Sequence, residues 1–584
     1  FTDGSNITIP LKGSWKAGTT RTYKLSQKNS SWVYTLNQIS PSAVAYDKTQ
    51  ATYQIESYRQ APDGTKQDVA WKVIGYSVDN GTTWTTTKPS WLKSLSKEQS
   101  NGGTAAEQLT ATLGTDIVDL LAERNKGLQE ATPLGNSSTY YNLSNATGAA
   151  AVQNTANCYV ISAPGYYMIP LVYGNAIKNS QTNSNAYISR APVTKLQFGT
   201  TTTIKDVILH NFVDHQSAKI TSPWIEKTNG GANNGIDGAE VTWSDESNLV
   251  ELANSPIYHD ASGNAFVKFE VKKDNLKSGN AVISVKKGNT ILWSWHLWFA
   301  PKNALDKITV TNNQGKKYDF TRETLGWKPT KWIGTSYSTP RTVKVKVEQV
   351  VGNNGNKQNA IITITQNAGL TKKSGTTTLY QWGRNNAFPG TDASLPQGII
   401  YSSREDINMN NKIQKPNYFF TTNILANETI APNDGVTRLH YFYNLWSMDN
   451  NHRGDINAPN NIDVVKTIYD PCPVGFNVPT NGAFSGFTTS TTNGTNVPAT
   501  FELNSGHIFW VNSSHTESIY FPASGFRNAK DAILKDALTS GNYWSADPQD
   551  YNNGCAMGFN ETEIRPLFRN IRTYGFAVRP VAEK

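Results

Sequence analysis

The chain has 584 residues, of which 37% are hydrophobic, 11% aromatic and 17% charged. A chain this long divides into more than one hydrophobic core, and its apolar content excludes wholesale disorder, so three or four folded domains are expected. The formal net charge of +9 is spread along presumptive strands and not gathered in one basic run, which argues against nucleic-acid binding. The sequence contains no run of 18 apolar residues, so no membrane span is predicted.

Short alternating segments separated by turn residues dominate the chain and predict β-sandwich domains. TYQIESYRQ, NAFVKFEVKK and PRTVKVKVEQV all have the period-2 pattern of a half-buried strand. The clearest helical pattern lies near residues 104–127, where Thr104 and Glu107 have the spacing of a capping box and Gly127 is a suitable stop. We therefore expect short helices in that segment.

The segment SVDNGTTW, residues 77–84, fits the Asp box that recurs in sialidase propellers. Asn80 and Gly81 suit a two-residue hairpin turn, Asp79 can accept backbone hydrogen bonds within it, and Trp84 can pack beneath it. A propeller requires several copies of this motif, and the chain has one. The motif therefore predicts a stabilised hairpin.

Further along, a cysteine and three tryptophans lie in strand-like segments. Cys158 has no histidine near it in sequence to act as a base, so we expect a small buried thiol. Trp293 and Trp295 share one strand face, which favours core packing over a sugar-binding platform that also uses Trp298. His296, on the opposite face, has no metal partner at a useful spacing.

Four later segments carry specific motifs: LYQWGRNNAFPG (379–390), KTIYDPCPVGFNVPTNGAFSGF (466–487), GNYWSA (541–546) and YGFAVRPV (574–581). Together with the strand-like segments at residues 155–179, which contain Cys158, and 279–301, which contain the three tryptophans, they resemble the fimbrillin-family surface proteins of Bacteroidetes-type bacteria. Those proteins end in a FISUMP, or major paralogous, domain. The resemblance runs from about residue 150 to the end. It implies a role in cell adhesion, export as an outer-membrane lipoprotein or into a fimbrium, and a C-terminal domain similar to the C-type-lectin-like fold.

Together these patterns predict a mainly β, multi-domain protein. The expected parts are a β-rich N-terminal domain, a β-sandwich fimbrillin-like domain, a β-rich connecting segment or small domain, and a mixed α/β, C-type-lectin-like FISUMP domain, over 1–135, 136–305, 306–375 and 376–584. The chain begins at Phe1, and we expect a trimmed form that contacts a membrane only through a lipid anchor that this chain lacks.

The resemblance also bears on the cysteines. Relatives often carry a cysteine where this chain has Pro580, so Cys555 is the local substitute partner for Cys472. We expect Cys472 either to pair with Cys555 or to be a buried thiol, and to have no catalytic role. In DPCP the two prolines hold the backbone extended, and Thr480 is expected to cap a short helix over 481–487.

No metal or cofactor site is predicted. The three cysteines form no CxxC or Cys/His cluster, and the loop motifs of calcium-dependent lectins are absent. A weak calcium-loop pattern over residues 449–455 lacks the final glutamate of an EF-hand.

The long polar segment 391–465 is the predicted binding region. It contains NLWSMDNNHRGDINAPNN, with an Arg-Gly-Asp tripeptide that chance and turn chemistry explain better than integrin binding. A glycan site pairs a stacking aromatic ring with amides and carboxylates, and a protein partner would use the same tryptophan and arginine as anchors. The predicted ligand-binding residues are Trp446, Asp449, Asn451, Arg453 and Asp455. The alternative is that Trp446 belongs to the core and the polar residues form a surface turn.

The sequence thus favours an adhesin or pilus-tip-like subunit that binds a glycan or protein of a host or neighbouring cell. Other pilus subunits are further candidate partners, and nucleic acid is not. A surface glycan-processing enzyme and a structural pilus subunit are the alternatives. We do not expect an enzyme, because no set of nucleophile, base and oxyanion donors is apparent.

Overall fold

A computed structural model describes most of the chain, namely residues 14, 16–20, 22, 32–197, 200–369, 372–391, 399–402, 409–421, 444–449, 457–488, 501–502, 505–511, 517–549 and 552–584. The fold is mainly β, as predicted, and is built from several sheets. Within the described ranges the α-helices are Leu120–Glu130 and Met409–Gln414. No helix there is long and apolar enough to cross a membrane.

The chain forms two compact units, and each is assembled from two separate stretches of sequence. Unit 1 comprises Phe1–Val118 and Gly334–Leu370, and unit 2 comprises Asp119–Ile333 and Thr371–Lys584. This division differs from the four consecutive segments predicted from sequence. The reason is that strands distant in sequence pair with each other, a feature that local alternation does not encode.

Unit 1 contains two sheets packed on one core. Strand Arg341–Gln349 buries Val343, Val345 and Val347 and turns its lysines outward. The first sheet contains Val33–Ile39, Gln50–Gln60, Lys66–Asp68, Leu92–Leu95 and Gly103–Leu113. The second contains Trp71–Ser77, Gln99–Ser100, Arg341–Gln349 and Asn359–Gln366.

The helices predicted near residues 104–127 are largely wrong. Residues Gly103–Leu113 form a strand that pairs with Gln50–Gln60. Apolar and polar side chains alternate strictly at the end of this strand, where Leu109, Ala111 and Leu113 are buried. Pairing with the neighbouring strand therefore outweighs the helix signal of the capping-box spacing. The helix begins after Asp119, whose side chain accepts hydrogen bonds from two backbone N–H groups, and it runs through Gly127 to Glu130.

The Asp box forms the predicted hairpin. Tyr76 and Thr85 exchange two backbone hydrogen bonds, of 2.8 and 2.9 Å. Asn80 and Gly81 have φ values of 61° and 94°, the left-handed conformation that this turn requires. Asp79 Oδ1 accepts hydrogen bonds from the Ser77 hydroxyl at 2.6 Å and the Thr83 N–H at 2.9 Å.

Within the described residues, unit 2 contains three four-stranded sheets, one five-stranded sheet and several smaller ones, and two of the four-stranded sheets are formed entirely by its first stretch of sequence. One contains Cys158–Ile161, Gly238–Ser244, Gly279–Lys287 and Thr290–Phe299. The other contains Tyr141–Asn142, Gly165–Pro170, Glu251–His259 and Ala265–Val271.

The remaining elements of the described chain vary in length. The strands are Ile117–Asp119, Ile177–Lys178, Gln181–Thr182, Ile188–Gln197, Thr200–Asn211, Lys307–Thr311, Lys317–Thr321, Lys328–Thr335, Lys372–Thr376, Thr378–Gln381, Phe388–Pro389, Ile400–Ser402, Tyr418–Phe420, Phe476–Asn477, Phe501–Glu502, Gly506–Trp510, Ser518–Pro522, Phe526–Arg527, Leu534–Lys535, Ser540–Pro548, Asn553–Asn560, Ile564–Ile571, Gly575–Phe576 and Val581–Ala582. The 3₁₀ helices are Ser184–Tyr187, Thr228–Gly231, Lys273–Asn275, Lys302–Leu305 and Asn481–Phe487.

One hydrophobic core joins the early and late parts of unit 2. Its buried members range from Leu128 to Val578. They include Trp293, Trp295 and Trp298, which are core residues as predicted. They also include the tryptophans of the later motifs, Trp382, Trp446 and Trp544. The predicted fimbrillin-like and FISUMP-like segments therefore share a core.

The motif segments that carry the family resemblance contact one another inside this core. The indole N–H of Trp382 donates to Ser545 O at 2.9 Å, and that of Trp544 donates to Tyr380 O at 2.8 Å. In DPCP, Asp470 accepts the N–H groups of Cys472 and Val478 at 2.7 and 2.9 Å. All of these residues are buried within unit 2.

The predicted cap at Thr480 is only partly correct. A 3₁₀ helix does cover Asn481–Phe487, but the Thr480 side chain makes no capping hydrogen bond. The Asn481 N–H instead donates to a carboxylate oxygen of Asp547 at 2.5 Å. The cap comes from a residue distant in sequence, which a local pattern cannot reveal.

The predicted pairing of Cys472 with Cys555 is absent. Cys158, Cys472 and Cys555 are all buried, and none is part of a disulfide. The thiol of Cys555 donates to Gln549 Oε1 at 3.7 Å, whereas the backbone N–H of Cys472 is bound by Asp470. The two cysteines belong to different local frameworks, so the buried-thiol alternative describes Cys472.

Candidate functional site

The predicted binding residue Trp446 is a core residue and does not form a sugar platform. Its side chain is fully buried, its ring centroid lies 5.4 Å from that of Trp382, and its indole N–H donates to Arg384 O at 3.3 Å. A ring with no exposed face cannot stack on a ligand, so this prediction is wrong. Asn451, Arg453 and Asp455 lie outside the described residues.

Asp449 lies beside a small polar cavity. The cavity has a volume of about 10 Å³, which is room for about one water molecule and is too small for a sugar. Its buried member Asp547 has a pKa raised to about 6 by burial. The lining residues are Asn444, Ser447, Asp449, Asn460, Ile462, Asp463, Val464, Thr480, Ala546 and Asp547. Among the residues that the structure describes, no three His, Cys, Asp or Glu side chains are arranged to hold a metal ion.

A larger cleft of about 490 Å³ lies beside helix Leu120–Glu130. Its floor includes Leu128, Ala131 and Leu134. Its charged lining residues are Glu123, Arg124 and Lys302. Arg124 is already held by Glu323 through two hydrogen bonds of 2.6 and 2.8 Å, so its guanidinium group is occupied by a carboxylate.

The strongest candidate is the outer face of the sheet that contains strand Ala265–Val271. In this strand, AFVKFEV, the odd-numbered side chains are buried in the core of unit 2. Because successive side chains of a strand point to opposite faces, the even-numbered side chains form the outer face: Phe266, Lys268 and Glu270.

Strand register brings aromatic side chains from the two neighbouring strands onto the same face. Tyr258 is directly opposite Phe266, and Tyr166 is directly opposite Glu270. Tyr140 packs edge-to-face on Tyr166, with ring centroids 5.6 Å apart. Trp224 packs against Phe266 at 6.0 Å. We call this surface the Lys268 face, and it comprises Tyr140, Tyr166, Trp224, Tyr258, Phe266 and Lys268.

The aromatic rings of the Lys268 face are accessible to a ligand. Tyr258 is 41% exposed, and Tyr140, Tyr166 and Trp224 are half-buried. Phe266 is buried beneath them, at 2% exposure. Single exposed apolar residues are common on any protein surface, but these partly exposed rings are neighbours and form one patch. A contiguous patch of this kind is typical of a binding surface.

Lys268 lies at the centre of this face between two rings. Its Nζ is 3.9 Å from the ring centroid of Tyr258 and 4.5 Å from that of Tyr140, both within cation–π distance. Partial burial lowers the pKa of Lys268, because removal of water disfavours the charged form. The lysine is thus a cation held by aromatic rings.

The carboxylates at the edge of the face are engaged with other groups. A hydrogen bond to Glu270 raises the pKa of the Tyr166 hydroxyl. Glu251 forms an ion pair with Lys272. On the Trp224 side, Lys227 lies 5.4 Å from the Trp224 ring and donates to Asn264 Oδ1 at 2.6 Å.

Sequence reasoning identified the alternation of NAFVKFEVKK but missed this site. The pattern alone places Lys268 on the outer face of a strand. It does not give the register that brings Tyr258 and Tyr166 alongside, nor the position of Tyr140 before its strand. The tyrosine pairs at 140–141 and 166–167 are the one local signal: Tyr167 is in the core and Tyr141 packs against it, whereas Tyr140 and Tyr166 lie on the outer face.

Comparison with known proteins gives one match, to part of unit 2. A family model described as Domain of unknown function (DUF8237) matches residues 501–581. No curated protein and no solved structure is similar enough to count as a match. The matched segment includes Trp544 and Arg579, both buried, and lies outside the Lys268 face.

Proposed function

We propose that this chain is a cell-surface adhesin that binds a glycan through the Lys268 face. The observation that carries the proposal is the cluster of accessible rings on the outer side of a sheet whose inner side is packed in the core. Sugar rings present apolar C–H faces flanked by hydroxyls, and they are recognised by aromatic surfaces with polar groups interspersed.

A glycan fits this face better than a folded protein partner does. Protein interfaces centre on a desolvated apolar anchor that enters a pocket, and here the apolar residue Phe266 is already covered. What the face offers is tyrosine rings, tyrosine hydroxyls and charged side chains on strands of a sheet. These groups suit stacking combined with hydrogen bonds to hydroxyls.

We further propose that the chain is a fimbrillin-type surface protein with a FISUMP-like, C-type-lectin-like C-terminal part. The support is the resemblance of the four late motifs together with the contacts among Tyr380, Trp382, Trp544 and Ser545 in the core. In this proposal the chain acts at the cell surface, as an outer-membrane lipoprotein or a fimbrial component, with host or neighbouring-cell glycans and other pilus subunits as partners. It binds and does not turn over its ligand.

Glycan-array binding of the purified chain, followed by calorimetric titration, tests the adhesin proposal. Tyr258→Ala and Tyr140→Ala should each weaken binding by about tenfold, equivalent to about 1.4 kcal/mol, with unchanged melting temperature. The matched control is Tyr34→Ala, a half-buried tyrosine of unit 1, which should bind normally. Absence of glycan binding by the folded chain would overturn the function, and full affinity in both variants would exclude the Lys268 face.

A further inference from the structure

Lys268 differs from the lysines around it in its bonding partners. Lys227 donates to Asn264, and Lys272 pairs with Glu251. Among the residues that the structure describes, Lys268 Nζ has no carboxylate within 4.0 Å and no hydrogen-bond acceptor; its contacts are the rings of Tyr140 and Tyr258.

A ligand that covers the Lys268 face must meet this ammonium group. A neutral sugar would remove water from the charge and offer only hydroxyl dipoles in return, and burying a charge without a counter-charge is unfavourable. An anionic group would instead form a charge-assisted hydrogen bond in surroundings that are already partly desolvated. The tyrosine rings favour stacking of any sugar, whereas the Lys268 ammonium lowers the affinity for neutral sugars relative to acidic ones.

We propose that the ligand of the Lys268 face is an acidic glycan, whose carboxylate or sulfate group contacts Lys268 while its sugar rings stack on the neighbouring tyrosines. This inference rests on the proposed glycan-binding function and specifies its ligand class. Lys268 determines the preference for charge, and the tyrosines supply affinity for any sugar of suitable shape.

The test compares matched oligosaccharides that differ only in charge. A uronic-acid oligomer is paired with its carboxyl-reduced form, and a sulfated oligomer with its desulfated form, each titrated into the full chain. We expect the acidic member of at least one pair to bind about tenfold more tightly at low salt, with the preference shrinking as salt is added. The two pairs distinguish carboxylate from sulfate as the preferred group.

Three variants isolate the role of Lys268. Lys268→Met should abolish the preference by weakening binding of the acidic member and strengthening binding of the neutral member, because no charge is then covered without a counter-charge. Lys268→Arg should retain the preference because the cation is kept. Tyr258→Ala should weaken acidic and neutral members alike. Lys307→Met, at an exposed lysine elsewhere in unit 2, removes the same charge and should leave the preference intact.

The outcomes separate the inference from the function on which it rests. Equal binding of acidic and neutral members by the unaltered chain, or a preference that persists in Lys268→Met, would overturn the acidic-glycan inference while glycan binding stands. No binding of any oligosaccharide by the folded chain would overturn both. A preference lost equally in Lys307→Met would show that net charge, and not Lys268, is responsible.

Discussion

His296 illustrates how single polar residues are accommodated in the core of unit 2. Its Nδ1 lies 3.0 Å from the Tyr380 hydroxyl, and its Nε2 lies 2.9 Å from Asn280 Oδ1. Because the Asn280 oxygen only accepts, these partners assign the proton to Nε2, and Tyr380 donates to Nδ1. Burial lowers the pKa of His296 to about 3. The ring is thus a neutral part of the core, and hydrogen bonds occupy both of its nitrogens, which leaves neither free to bind a metal.

We predict that His296 makes the native state sensitive to acid. Its pKa in the folded chain is below the ordinary value of 6.5, so the folded state favours the neutral ring. The stabilisation is complete above pH 6.5 and is lost as the pH falls toward about 3, by up to about 1.4 kcal/mol per pH unit. Asp547, whose pKa is raised to about 6, has the opposite sign: its contribution is present below 3.8 and is lost as the pH rises through 6.

Urea denaturation between pH 4 and 7 checks this prediction. The free energy of unfolding of His296→Gln should fall less steeply with decreasing pH than that of the unaltered chain. The difference between the two slopes isolates His296, because Asp547 is common to both. Parallel curves would mean that the histidine is protonated equally in the folded and unfolded states.

The cysteines should be unreactive until the chain unfolds. Burial raises the pKa values of Cys158 and Cys472, and the thiolate is the reactive species. A thiol-specific reagent should therefore label none of the three cysteines in the native protein within minutes at pH 8, and all three in guanidinium chloride. Rapid native labelling of one cysteine would show that its surroundings open locally.

At the scale of elements, strand patterns were predicted better than helix boundaries. The alternation of PRTVKVKVEQV buries Val343, Val345 and Val347, as expected. The helix was misplaced because Thr104 and Glu107 imitate a capping box within a strand, whereas the true cap, Asp119, has no glutamate three residues later. Local propensity cannot decide such cases, since pairing with a distant strand supplies the larger free energy.

Replacing the observed and the predicted cap should have different effects. Asp119→Ala removes the acceptor of the Leu121 and Ala122 N–H groups, both at 3.0 Å, and should lower the free energy of unfolding of unit 2 by about 1 kcal/mol. Asp119→Ser should restore most of it. Thr104→Ala, at an exposed strand position, is the matched control and should change stability little. A larger loss at Thr104 than at Asp119 would contradict the assignment.

The predicted binding region, residues 391–465, shows the same limit of prediction. Trp446 was expected in a surface loop, but Asn444 Oδ1 accepts the N–H groups of Trp446 and Ser447 at 3.0 and 3.1 Å and forms a turn there, with the indole ring in the core. The Lys268 face, by contrast, depends on strand register, including that between Gly165–Pro170 and Ala265–Val271, which are distant in sequence. Composition suggested aromatic binding residues, but only the pairing of strands identifies which rings are exposed together.

At the scale of the whole molecule, the core of unit 2 is shared between its two stretches of sequence. Arg579, in YGFAVRPV, donates to Thr321 O at 2.8 Å and to Arg322 O at 2.6 Å. Asn157 Nδ2 donates to the carbonyl oxygens of Ile468 and Asp470. A separate C-terminal domain beginning near residue 376 would leave these carbonyl and guanidinium groups without partners, at a cost of about 1–3 kcal/mol each.

The chain can be reduced to unit 2 by removing the two stretches that form unit 1, which contribute no residue to this core. Ile333 and Lys372 are cross-strand neighbours in the antiparallel pair formed by Lys328–Thr335 and Lys372–Thr376. Such neighbours lie about 5 Å apart, so a two-residue Asn-Gly turn can connect them as a hairpin. Removing residues 1–118 and replacing 334–371 by Asn-Gly yields a chain that contains unit 2 alone.

We predict that this shortened chain folds, whereas the isolated fragment 372–584 does not. The fragment lacks Trp293, Trp295 and Trp298, which are fully or almost fully buried in the common core, and the surface they cover would be exposed to water. Near-UV circular dichroism and urea denaturation distinguish the two: the shortened chain should unfold cooperatively and retain glycan binding through the Lys268 face, and the fragment should show neither fixed tryptophan signals nor a cooperative transition. Cooperative unfolding of the fragment would establish an autonomous C-terminal domain and would refute the shared core.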